Sequence, residues 1–363
     1  MKYVFTGGGS AGHVTPNIAI INKLRKMDEA CSFDYIGSEA GIEKDIIGAI
    51  DDIKYHSIRT GKLRRYFSWK NFTDPFRVLL GYKDAVRLLK EIKPDVVFSK
   101  GGFVSVPVVY AAKKLKIRVI AHESDMTPGL ANKLSKRCAQ KICVTFPETL
   151  KDLPEGLGVL TGSPIRDELF TGDGNKARNM LHFDSKPVIL VMGGSLGSVA
   201  INKAIRENIA FLTEKYNVVH LCGKNNVDEE ISKQSNNVFL SYKQFEFITQ
   251  ELPDVLALAD FVISRAGANA IHEFLALHKP MILIPLPLSA SRGDQILNSE
   301  SFEKRDFAKV LKEEDVTPET LKTAICELED NKDKMIAAMS RETSVLGAAE
   351  KIAAMLIEQS IIQ

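Results

Sequence analysis

Cysteine is scarce in this chain of 363 residues, and the five present, Cys31, Cys138, Cys143, Cys222 and Cys326, form no C-x-x-C pair and no His/Cys cluster at zinc spacing. An odd, scattered set argues against a disulfide framework and fits a reducing compartment, so a cytoplasmic location is expected. Long hydrophobic runs are lacking too. The most apolar stretch, Met281 to Leu288, is broken by Pro285 and Pro287, and Met1 to Thr6 leads straight into glycines with no apolar leader. Neither a membrane span nor a secretory signal is expected. A large charge of one sign is also missing: the formal net charge is +2, with 26% charged and 45% hydrophobic residues. That balance excludes a disordered chain and a uniformly basic nucleic-acid binder.

What is present is alternation. Short apolar runs (Tyr3 to Phe5, Asp95 to Phe98, Val119 to Ala121) are followed by amphipathic stretches (Ile18 to Leu24, Val104 to Leu115, Leu130 to Lys136), the pattern of a parallel sheet covered by helices. From Pro187 it restarts with Val188 to Met192, then Val218 to Leu221, Val238 to Leu240, Phe261 to Ile263 and Met281 to Ile284. Turn-forming residues between Pro154 and Asn175 place the linker there, which gives domains over 1–162 and 163–340 and a C-terminal helix over 341–363. Both units open with a buried strand, a glycine-rich turn and a helix, at Tyr3 to Gly12 and at Ile189 to Gly197. This weak repeat implies two similar nucleotide-fold domains facing across a cleft.

The turns carry the chemistry. Gly7-x-Gly9-x-x-Gly12 matches the dinucleotide fingerprint, but the acid that should follow, Asp34, lies inside the apparent strand Phe33 to Ile36 instead of at its end, so a pyridine-nucleotide enzyme is the weaker reading. His13 follows the third glycine at a helix start. There the dipole favours a neutral imidazole, whose ordinary pKa of about 6.5 suits proton acceptance, although a histidine bonded to local backbone would look the same. Lys100-Gly101-Gly102 gives a second turn, and His122-Glu123-Ser124-Asp125 follows another strand. In the second unit, Gly193-Gly194-Ser195-Leu196-Gly197 offers backbone N–H groups to an anion. Ser264 to Glu273 reads as a strand end, a small-residue turn and a helix whose start would suit a phosphate and whose glutamate would suit a ribose diol. Glu273, Asp294 and Gln295 also read individually as a solvated helix face and helix caps; their clustering after successive strands favours a site.

Residues 59 to 93 stand apart. Ten basic residues face three acids there, a surplus of seven on a chain whose remainder is acidic, interleaved with Tyr66, Phe67, Trp69, Phe72, Phe76 and Tyr82. This composition fits docking on an anionic membrane surface as well as it fits a solvated helix with a buried aromatic face. No nucleic-acid partner is expected.

Taken in order, Gly7 to Val14 with Pro16, Gly101-Gly102-Phe103-Val104-Ser105, His122-Glu123, Gly162-Ser163-Pro164-Ile165-Arg166, Gly193-Gly194-Ser195-x-Gly197, and Ser264-Arg265-x-Gly267-Ala268 with Glu273 and Gln295-x-x-Asn298 resemble the peptidoglycan N-acetylglucosaminyltransferases of glycosyltransferase family 28. The resemblance runs along nearly the whole chain. It implies a GT-B fold and an inverting transfer of N-acetylglucosamine from its UDP ester to the C4 hydroxyl of the muramoyl sugar in undecaprenyl-linked lipid I, giving lipid II at the cytoplasmic face of the membrane. It assigns UDP and sugar contacts to Arg166, Ser195, Ala268, Asn269, Ala270, Glu273, Asp294 and Gln295. Ser10, Ala11, Gly12, Gly101, Gly102, His122 and Asp125 fall on the acceptor and phosphate side, with His13 and Glu123 as catalytic candidates. It further implies that the C-terminal helix packs back on the first domain. Asp125 and Asp294 depart from the asparagine and glutamine frequent in the family, which leaves sugar selectivity open. Glycine loops and helix N-termini can neutralise a diphosphate, and no Asp-x-Asp pair is evident in the second half, so no tightly bound cofactor is expected, with Mg²⁺ an optional aid. The alternatives are a GT-B glycolipid synthase acting on diacylglycerol, the oxidoreductase, and a sugar-nucleotide-binding regulator without turnover.

Overall fold

The structure is a computed structural model that describes all residues except 62–69, 195–196, 234–239, 344–345 and 362–363, together with the backbone but not the side chains of 70–75 and 232–233. The chain divides into two units, one of residues 1–166 with 344–363, the other of residues 167–343. The second unit therefore starts at Asp167, four residues beyond the boundary read from the sequence.

In the first unit, strands and helices run β1 (Lys2–Thr6), α1 (Thr15–Met27), β2 (Ser32–Ser38), α2 (Ile42–Gly48), β3 (Ile53–Ile58), α3 (Lys70–Ile92), β4 (Val96–Ser99), α4 (Ser105–Lys114), β5 (Arg118–Glu123), α5 (Leu130–Ser135), β6 (Lys141–Val144) and β7 (Gly158–Leu160). The seven strands form one parallel sheet in the order β3-β2-β1-β4-β5-β6-β7. Because both faces are covered by helices, the central strands are apolar on both sides: Val4, Phe5, Val96, Val97 and Phe98 are all inaccessible to solvent. The turn-rich stretch taken for a linker contains β7. Three half-buried edge residues beginning with a glycine leave no periodicity to read.

The second unit runs α6 (Gly174–Leu181), β8 (Val188–Met192), α7 (Val199–Glu207), α8 (Ile209–Lys215), β9 (Asn217–Leu221), α9 (Glu229–Lys233), β10 (Tyr242–Phe245), α10 (Leu252–Leu258), β11 (Phe261–Ser264), α11 (Ala268–Ala276), β12 (Met281–Leu283), α12 (Asp294–Lys304), β13 (Ala308–Val310) and α13 (Pro318–Ser340). Its six parallel strands follow the order β10-β9-β8-β11-β12-β13. The strand expected at Val238 to Leu240 falls mostly on residues that the structure does not describe, and Leu240 itself lies in a turn. The ladder beside β9 begins at Tyr242. The last helix, α14 (Ala348–Ile361), belongs to the first unit, where Ile352, Ala353 and Leu356 share a core with Phe5, Ile20 and Leu24.

Candidate active site

Each sheet reverses its winding direction once, between β1 and β4 in the first unit and between β8 and β11 in the second. Parallel α/β sheets bind ligands at the carboxyl ends of the strands that bracket such a point. Thr6 pairs in register with Ser99, and Met192 with Ser264, so in each unit two turns leave neighbouring strand ends side by side.

In the first unit those turns meet backbone to backbone. A side chain on Gly102, whose φ is +84°, would begin 2.3 Å from the carbonyl oxygen of Gly8, so only glycine allows this approach. Two buried residues fix the first turn. Tyr35 Oη donates to the Gly7 carbonyl at 2.7 Å, and Glu43 accepts from the Gly9 N–H at 3.1 Å and from the Ser38 N–H at 3.1 Å. Neither was singled out in the sequence, because neither lies in a glycine motif. On the rim of this turn, Ser10 Oγ lies 2.9 Å from His13 Nδ1, and Ala11, Gly12 and His13 form a half-exposed helical turn leading into α1.

The end of β5 supplies the third strand terminus. His122 is fully buried, with Nε2 3.1 Å from the Gly162 carbonyl, which makes it a structural tie between β5 and the segment after β7. Glu123 is 5% exposed, and its carboxylate accepts from the N–H groups of Asp125 and Gly129, both at 3.0 Å, and from Asn132 Nδ2 at 2.8 Å. Burial raises its pKa against those hydrogen bonds. Glu123 thus shapes its own loop, and its oxygens are already committed to it. Asp125 sits half-exposed at the loop's start.

In the second unit, Gly193 and Gly197 are packed too tightly for a side chain: one would begin 2.7 Å from Ser198 N and the other 2.0 Å from the Cys222 carbonyl. Ser195, between them, lies outside the described residues. Arg265 braces the neighbouring turn. It donates to Ser198 Oγ at 2.6 Å and to the Ile284 carbonyl at 3.1 Å, and pairs with Glu313. Helix α11 starts after Gly267, which has no side chain to cap the first-turn N–H groups of Ala268, Asn269 and Ala270. Along α11, Ile271, His272, Phe274 and Leu275 are buried while Asn269, Ala270 and Glu273 are half-exposed. Positions three and four apart share a helix face, so Glu273 stands one turn beyond the helix start, above Asn269 and Ala270. Gln295 Oε1 accepts from the Leu286 N–H at 3.1 Å, fixing the loop before α12, and Asp294 at the first turn of α12 faces Arg292 at 3.5 Å. Arg166 is the last residue of the first unit before Asp167, and among the described residues its buried Nε has no hydrogen-bond partner.

The geometry decides one N-terminal expectation and describes only part of the segment behind a second. Asp34 cannot serve a ribose at the sheet edge, because it is third in β2 and its carboxylate lies 2.6 Å from His56 Nε2 on β3; the dinucleotide reading fails on that contact. Of the basic-aromatic segment, Lys62, Arg64, Arg65, Tyr66, Phe67 and Trp69 lie outside the described residues, as do the side chains of Lys70 and Phe72. Arg59 is not part of a free basic face, since it forms a two-pronged pair with Asp84 at 2.7 and 2.6 Å. Farther along α3, Phe76 and Leu79 are 71% and 54% exposed, and Lys83, Arg87 and Lys90 continue the same exposed stripe. Among the described residues no helix is long and apolar enough to cross a membrane.

Two nucleotide-type parallel sheets, each with glycine turns at its reversal point, define a two-domain α/β class built to hold phosphate-bearing ligands. Residues 3–144 match the glycosyltransferase family 28 N-terminal domain and residues 188–356 the family 28 C-terminal domain, and the chain belongs to this family. It is 55% identical over 340 residues, 93% of each chain, to the UDP-N-acetylglucosamine–N-acetylmuramyl-(pentapeptide) pyrophosphoryl-undecaprenol N-acetylglucosamine transferase of Clostridium botulinum, and 54% identical over 92% of each chain to the protein of the same name from Geobacillus kaustophilus. In fold it is similar to the crystal structure of Acinetobacter baumannii MurG, at 24% identity, a TM-score of 0.75 and coverage of 99% and 100% of the two chains. The fold is the GT-B class expected from the sequence.

Proposed function

We propose that the chain transfers N-acetylglucosamine from UDP-N-acetylglucosamine to the C4 hydroxyl of the muramoyl sugar of an undecaprenyl-diphosphate-linked acceptor, converting lipid I to lipid II in peptidoglycan assembly. The observation that carries this reading is identity above one half along nine-tenths of relatives bearing that name. The same relatives favour a polyprenyl acceptor over diacylglycerol.

In this reading the second unit holds the donor. The N–H groups of the turn after β8 and of the start of α11 receive the diphosphate, and Glu273 receives the ribose hydroxyls. Gln295, held through Oε1, turns its NH₂ end to the sugar, and Asp294 reads a neighbouring hydroxyl. The first unit takes the acceptor, with the glycine turns after β1 and β4 receiving its diphosphate. His13 accepts the C4 proton at Nε2, provided that Nδ1–H donates to Ser10 Oγ, the tautomer that the 2.9 Å contact accommodates. The hydroxyl oxygen then bonds to the anomeric carbon from the face opposite UDP, and the glycosidic electron pair leaves on the diphosphate. Glu123, committed to its loop, is a poorer base than His13. Backbone N–H groups and helix starts carry the neutralisation of the leaving group; Mg²⁺ would assist as a dissociable ion and no tightly bound cofactor takes part.

The chain works at the cytoplasmic face of the membrane, held peripherally by α3 and the basic segment before it. The assignment of Glu273 is tested by Glu273→Ala: the donor KM rises tenfold or more, because the buried diol loses its acceptor, while the acceptor KM stays within twofold. Unchanged UDP affinity in that variant would remove Glu273 from the site.

A further inference from the structure

Lys100 is the only lysine or arginine among the described residues whose side chain is buried, at 2% exposure. It connects three strand ends. Its N–H donates to the Thr6 carbonyl at the end of β1 at 2.9 Å, and its Cβ lies 3.1 Å from where a side chain on Gly7 would begin. Its ammonium donates to Ser124 Oγ in the loop after β5. A methionine or leucine would fill this volume without the desolvation cost of a charge, so packing alone does not account for a lysine here. Burial pushes its pKa down to about 8, and the carboxylates of Glu123 and Asp125 act against that shift. Those two acids and the buried Glu43 put three carboxylates around turns that would receive a diphosphate.

We propose that Lys100 is a positioning residue of the acceptor site: through Ser124 it holds the loop after β5 against the two glycine turns, and its charge offsets the surrounding carboxylates so that an anionic diphosphate is accepted. The inference rests on the reading that this unit takes the polyprenyl-diphosphate acceptor.

The test is steady-state transfer with UDP-N-acetylglucosamine and the lipid-linked acceptor varied separately, on the wild type, Lys100→Met, Ser124→Ala and the double variant, alongside UDP binding and melting temperature. The expected result is an acceptor KM raised tenfold or more in Lys100→Met and about threefold in Ser124→Ala, with donor KM and UDP affinity within twofold. The double variant should be no worse than Lys100→Met, since the contribution of Ser124 runs through the lysine. Should Lys100→Met not fold, the Ser124→Ala shift in acceptor KM at a near-normal melting temperature carries the test. A lowered melting temperature with both KM values unchanged, or an unchanged acceptor KM in Ser124→Ala, overturns the proposal. A wild type that binds UDP yet gives no transfer overturns the assigned reaction itself, and this role with it.

Discussion

At the scale of single residues, the first unit separates two groups that the sequence presents as equals. His13 and Glu123 both lie at or just beyond strand ends and both are able to take a proton, but Glu123 accepts two hydrogen bonds from its own loop and one from Asn132 on α5, while His13 stands half-exposed beside Ser10. A base acts mainly in the transition state, so His13→Ala should lower kcat by on the order of a hundredfold with UDP binding intact, and Glu123→Gln should chiefly lower the melting temperature. Near-normal kcat in His13→Ala, measured on the folded fraction, would contradict the assignment. The glycines, His13 and Glu273 were legible as candidates because each belongs to a short motif whose spacing has a mechanical reason. Tyr35, Glu43 and Lys100 were not, because the partners that tie their side chains to the turns and loops, Gly7, Gly9 and Ser124, lie 28, 34 and 24 positions away in the chain and become neighbours only when the sheet forms.

At the scale of elements, the β-branched runs marked most central strands, whereas β7 escaped because it is a three-residue, half-buried edge strand. The central strand β9 hides a titrating group. His220 is fully buried, with Nδ1 2.7 Å from Tyr242 Oη and Nε2 3.0 Å from Asn202 Oδ1, and burial, reinforced by Arg206, lowers its pKa to about 3. The unfolded chain binds a proton here below about pH 6.5 and the folded chain does not until about pH 3. Stability should therefore be fully present above pH 6.5 and fall as pH drops through that window, by about 1.4 kcal/mol per pH unit at the steepest. Urea unfolding of the second unit between pH 7 and 5, where carboxylates titrate little, should show this slope in the wild type and lose it in His220→Asn. Equal slopes in the two proteins would contradict a neutral buried histidine.

At the scale of the whole molecule, the formal charge of +2 hides an uneven distribution, with the basic surplus gathered in 59–93 and two large apolar side chains, Phe76 and Leu79, exposed on the helix within that segment. Co-sedimentation with vesicles should rise with the anionic lipid fraction and fall with salt, and Phe76→Ser with Lys83→Glu should weaken it several-fold without changing UDP affinity. Binding unaffected by salt and by these changes would contradict a peripheral electrostatic contact. The central claim is the reaction. Wild-type protein incubated with UDP-N-acetylglucosamine, UDP-glucose and UDP-galactose, each against a polyprenyl-diphosphate muramoyl acceptor and against diacylglycerol, should yield by mass detection one main product, the N-acetylglucosaminyl adduct of the polyprenyl acceptor. A diacylglycerol glycoside as the main product, or hexose transferred as readily as N-acetylglucosamine, would contradict it.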